Sequence, residues 1–228
     1  ADGSNTFGSV QASVLNADNS NDAAASIVIT EDGDTQLAGN LRTAAGQNVT
    51  VVSTGNITQS GALVSAGNVS LSAGSTGSIT LETTTNQLTG TIGLDAAGAP
   101  LFNNTATNLG VSTIDNSLAV TSTGNINQTG VLTVTSGAAT FDAGTSDVNL
   151  TLANSFGAGV GASGDVVSLT NSVATDLRSS TTAGALTVTS AGTLTQSGTL
   201  TVGGNLALTA TAGGISQTAA MDVTGDST

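Results

Sequence analysis

GNITQSGALV at Gly55, GNINQTGVLT at Gly124 and GTLTQSGTLT at Gly192 are three versions of one segment, and their spacing restricts the folds open to this chain. Ile57, Ile126 and Leu194 mark equivalent points, so the segment returns about every 68 residues. From each mark the next apolar run opens at Ile79, Val148 and Ile215, each about 22 residues further on. The long repeat therefore contains a shorter unit of about 22 residues, roughly three times over. Recurrence at this period belongs to solenoids, in which no unit buries its apolar face alone and each must stack on its neighbours.

Within a unit the apolar residues alternate over short runs, as in Leu200 and Val202, then Leu206 and Leu208, then Ile215. A period of two over a few residues is the mark of a strand. Between the runs stand QSG, GGN and TAGG, residues that permit sharp corners and positive φ. Helical spacing and capping boxes are absent. Three short strands and three corners per unit predict an all-β, right-handed parallel β-helix, about 22 residues to a coil and roughly ten coils in residues 1–228, a single rod. Ten coils stacked ~4.8 Å apart span on the order of 50 Å. A looser coil is predicted where NSFGAGVGASGDVVSLTNSV from Asn154 matches NQLTGTIGLDAAGAPLF from Asn86 and NTFGSV from Asn5. Their divergent Gly/Ala/Asp-rich middles read as outward loops, one of which holds Pro100, the one proline of the chain.

The segments NSFGAGV, ALTVTSAGTLTQSGTLTVGGNLALTA, LAVTSTGNINQTGVLTVTSG and NVSLSAGSTGSITLETTTNQLTGTIG together resemble the repeats of filamentous-haemagglutinin-like giant bacterial surface proteins. The resemblance runs along essentially the whole chain. It implies the β-helical shaft of an adhesin or autotransporter-type fibre, extracellular or on the bacterial cell surface, and it implies nothing about what the tip of such a fibre binds.

Composition narrows the chemistry. The chain has no cysteine, histidine, tryptophan, tyrosine or lysine, and Arg42 and Arg178 are its only cationic side chains. Ser/His/Asp and Cys/His catalysis and nitrogen or sulfur metal sites have no raw material. A net charge of −13 opposes a phosphate backbone, so nucleic acid is not an expected partner. No apolar stretch approaches the ~18 residues of a membrane span. No leader is visible at Ala1, and both ends break off within repeats, which reads as a piece of a longer exported fibre. The expected partners are neighbouring repeats or copies of the chain end to end. A host or surface glycan, bound by the variable loops, is the alternative.

Few residues stand out as sites. Gln59, Gln128, Gln196 and Gln217 recur two positions after a strand-opening Ile or Leu, which points them inward at a corner, where amides can satisfy one another or the turn backbone. A saccharide-binding row is the other reading. The acidic turn TEDGDT places Glu31, Asp32 and Asp34 around Gly33, hard oxygen ligands of the kind calcium takes, although the full calcium loop of the helix–loop–helix type is missing and a solvated turn explains the same residues. No other cofactor is expected. Paired carboxylates can hydrolyse glycosides, but the aromatic residues are limited to Phe7, Phe102, Phe141 and Phe156, and mostly read as core, so no enzyme is expected. Thr-x-Thr triplets at Thr187, Thr193 and Thr199 suggest an ice-binding face, but Asn56 and Asn125 stand where Thr193 does. Sequons at Asn48, Asn56, Asn68, Asn103, Asn127 and Asn149 arise readily in so Asn-rich a chain. The strand-opening residues Ile57, Ile79, Ile126, Val148, Leu194 and Ile215 are expected to be buried in one phase of the coil.

Overall fold

The computed structural model describes residues 26–38, 41–43 and 45–228. The segment at Asn5 and Phe7 lies outside them. Among the described residues there are twenty-six strands and no helix. Every strand pairing is parallel, which a chain can achieve only by returning to the same side after each circuit. Ile27 pairs with Val49, Val49 with Val69, and Val69 with Ile92; further along, Ile126, Val148, Val167, Leu186 and Leu206 form another unbroken column. The result is a β-helix of about ten coils.

The alternation read from sequence is the alternation of burial. In Leu186–Ser190 the residues Leu186, Val188 and Ser190 are buried, while Thr187 is exposed. Inward side chains make one axial core of Ile, Leu, Val and Ala, with Phe141 and Phe156 in tilted contact at 5.8 Å. Each coil covers the apolar face of the one before it, so burial is shared between coils.

The coil length is not constant. The circuit from Val69 to Ile92 is long, the next from Ile92 to Leu109 is much shorter, and those from Val148 to Val167 and from Val167 to Leu186 are equal and intermediate. This changes the meaning of the long repeat. The column through Ile57 continues to Ile79, Ala99, Leu118, Ala139 and Val160, whereas Ile126 stands over Thr107 in a different column. Leu118 opens the strand before the one that Ile126 opens. The long repeat is therefore three coils and one further strand, and each copy of the motif begins one strand further round the rod.

The looser coils are also strand. Thr91–Asn103 is one continuous strand of thirteen residues and Val160–Gly164 one of five, where outward loops were expected. The register of Thr91–Asn103 with Val69–Ser78 shifts at small residues, between Ser72 and Gly74 opposite Asp95 and Ala96, and again before Ser78 opposite Gly98. Pro100 sits inside the thirteen-residue strand, opposite Ala119, with its carbonyl accepting the Leu81 N–H at 3.0 Å. A proline removes one ladder donor there and leaves the acceptor in use.

Candidate functional site

The strand-opening residues fall into three stacked pairs, Ile57 with Ile79, Ile126 with Val148 and Leu194 with Ile215. All but the last are buried. Ile215 is 51% exposed, against expectation, because it belongs to the last described strands, where no further coil covers the inner face.

The recurring glutamines do not stack on one another along the rod, since the repeats that carry them begin on different strands; Gln196 and Gln217 alone share a register. Each reaches the turn backbone two positions on. Gln59 Nε2 donates to Gly61 O at 2.6 Å, Gln128 Nε2 to Gly130 O at 2.7 Å, Gln196 Nε2 to Gly198 O and Gln217 Nε2 to Ala219 O at 3.1 Å. Two are then locked by an asparagine from the next coil. Gln59 Nε2 donates to Asn86 Oδ1 at 2.8 Å and Asn86 Nδ2 donates back to Gln59 Oε1 at 2.8 Å; Gln128 and Asn154 repeat the exchange at 2.8 and 2.9 Å. The same asparagine oxygens accept Leu63 N–H and Leu132 N–H. At Gln196 the Ala220 carbonyl takes the place of the asparagine oxygen, and Gln196 Oε1 is buried without a partner. Gln217, on the last strands, is exposed. Amides this committed to backbone groups are not free to read a saccharide.

A second buried lock recurs once per long repeat. Asn103 Nδ2 donates to Leu88 O, Ala106 O and Thr107 Oγ1, Thr107 donates on to Ser122, and Leu88 N–H returns to Asn103 Oδ1. Asn171, Thr175, Ser190 and Phe156 reproduce it. Asparagines and aspartates directly before strands make a third device, accepting the backbone N–H of the coil above. Asp34 Oδ1 accepts Asn56 N–H at 2.7 Å, Asn56 accepts Ser78 N–H, Asn125 accepts Asp147 N–H and Asp147 accepts Val166 N–H. Sequence reasoning missed these asparagines. Their signal was the return of Asn86 as Asn154, of Asn103 as Asn171, and of the Gly-Asn pairs at corners, which the apolar marks overshadowed.

The three carboxylates of the acidic turn do not converge on one point. Glu31 points inward and is 2% exposed, whereas Asp32 and Asp34 face outward. Asp32 Oδ1 accepts from Thr54 Oγ1 at 3.0 Å, and Asp34 holds the corner above. Alternation forces this division, because residues 31, 32 and 34 cannot share one face of a strand leaving a turn. Among the described residues no group of three acidic, His or Cys side chains could hold a metal ion. Arg178 is occupied by Asp176 at 2.8 Å and by the Ala158 carbonyl. Phe141 and Phe156 are core, and Phe102 is half-buried on the outward side. The sequon residues Asn48, Asn56 and Asn68 serve as corner caps, and Asn103 is wholly buried. No described helix is long and apolar enough to cross a membrane.

One family model, described as repeats of unknown function (DUF5649), matches residues 20–95, 97–163, 163–213 and 198–228, and the chain belongs to that family. No curated protein and no solved structure matches it.

Proposed function

We propose that this member of a repeat family is a structural shaft: a segment of an extracellular bacterial adhesin or fibre that holds other elements at a distance from the cell surface. The observation that carries the reading is the parallel stacking of coil on coil, in which polar side chains are committed to holding one coil on the next. The interior amides, the corner aspartates and one of the two arginines all have backbone or side-chain partners. Such an arrangement supports mechanical continuity, and catalysis is not part of the proposal. The proposed partners are further coils, from the same polypeptide or from another copy, added along the axis. The resemblance to filamentous-haemagglutinin-like repeats supports the extracellular placement. A glycan-binding module built on outward loops has less support, because Thr91–Asn103 is strand.

Electron microscopy of the native assembly tests the proposal. Thin rods or continuous filaments of one coil's width are expected, and compact particles would refute it. A glycan array probed with the isolated chain separates the alternative, for which selective binding is the required result.

A further inference from the structure

The Asn–Thr–Ser lock occurs a third time, with one change. Asn103 pairs in register with Ser122, and Asn171 with Ser190; in each, a threonine four positions after the asparagine donates to that serine. Glu31 pairs in register with Ser53, and Thr35 follows four positions later, opposite Ile57 as Thr107 is opposite Ile126. Glu31 therefore occupies the asparagine slot.

The replacement inverts the slot's chemistry. Asn103 Nδ2 stands among three oxygens, those of Leu88, Ala106 and Thr107, and is the donor that satisfies them. A carboxylate offers only acceptors. Glu31 Oε1, Glu31 Oε2 and Thr35 Oγ1 are all buried without a hydrogen-bond partner, at 2% and 0% residue exposure, while Ser53 donates to the Gly33 carbonyl as Ser122 does to Thr105 O and Ser190 to Val173 O. The slot thus carries a carboxylate and a threonine oxygen, all unpartnered, where the other two copies hold an N–H donor. Protein cations do not fill it: Arg178 is held by Asp176, and Arg42 is exposed on the strand Leu41–Arg42. A buried water would satisfy hydrogen bonds but leave the charge uncompensated, which is the costlier deficit.

We propose that the Glu31 slot is an interior binding site for one hard cation, calcium or sodium, coordinated by the Glu31 carboxylate and Thr35 Oγ1 and standing where asparagine Nδ2 stands in the other copies. Hard cations bind through oxygen, and a carboxylate and a neutral oxygen are donors of the type they take. The exposed carboxylates of Asp32 and Asp34 are not ligands. The ion would hold the end of Ile27–Glu31 to the start of Thr35–Leu37 and so order the corner whose Glu31 and Gly33 carbonyls accept the Thr54 and Gly55 amides.

The test is thermal unfolding and amide exchange of the whole chain in calcium chloride, sodium chloride or choline chloride at equal ionic strength. The wild type should melt about 5 °C higher in one or both metal salts than in choline. The Thr54 and Gly55 amides, which donate to Glu31 O and Gly33 O, should exchange more slowly there. Glu31→Asn restores the amide of the other copies, and should lose the metal response while matching the metal-bound wild type in choline. Thr35→Val should weaken the response, and Asp32→Asn should leave it intact. Should Glu31→Asn fail to fold, Glu31→Gln replaces it with the same expected loss. Equal wild-type stability in all three salts, a response that survives both Glu31 variants, or one abolished by Asp32→Asn would overturn the proposal.

Discussion

At the scale of single residues, the interior is held by apolar contact and positioned by amides. Ile126 is wholly buried between its neighbours in the column, so Ile126→Asp places a charge in an apolar stack without a partner. A loss of about 4 kcal/mol or failure to fold is expected, read as a fall in the urea midpoint. Asn154 satisfies Gln128, Leu132 N–H and two carbonyls at once. Asn154→Ala should cost about 3 kcal/mol by the same measurement, because several buried groups lose partners together. The glutamines should differ among themselves. Gln128→Met breaks a complete exchange with Asn154, whereas Gln196→Met removes an oxygen that is already unpaired, so the second variant should lose clearly less stability than the first. Equal losses would show that the amide exchange contributes nothing beyond side-chain volume.

At the scale of strands and corners, glycine decides whether coils can close on each other. A Cβ at Gly130 would stand 2.0 Å from Val111 N, and one at Gly198 1.9 Å from Ser179 N, contacts with backbone that no rotamer relieves. These two glycines end the recurrent QTG and QSG turns, and their carbonyls accept the glutamine amides. At Gly214 a Cβ would meet nothing within 4 Å. Gly130→Ala should therefore lower the melting temperature by more than about 5 °C, while Gly214→Ala should leave it within about 2 °C of wild type. Substitutions of the same chemistry are thus separated only by how near the neighbouring coil runs.

At the scale of the whole molecule, the chain carries fifteen acidic residues against two basic ones, and among the described residues most acidic side chains face outward. Like charge along the flanks opposes side-by-side contact, while growth along the axis buries apolar faces and adds ladder bonds. Raising salt should screen the flanks and increase lateral association. Light scattering that rises with ionic strength at constant protein concentration is the expected result; scattering that falls would mean that the contacts between rods are themselves ionic.

Alternating Leu, Ile and Val between glycine-rich corners was enough to predict strands, parallel stacking and a solenoid, because period and turn chemistry are local properties written in neighbouring residues. The inward set was legible for the same reason, as Ile57, Ile79, Ile126, Val148 and Leu194 show. Register was not. Whether Ile126 stands over Ile57's column or over Thr107 depends on the length of each intervening coil, and the short coil from Ile92 to Leu109 looks like the long one from Val69 to Ile92 until their corners are seen. Nor could the sequence say that Thr91–Asn103 rounds its corner as a strand, or that Glu31 turns inward while Asp32 and Asp34 turn out. Those outcomes rest on contacts between residues a full coil apart, and only the stacked coils bring such residues together.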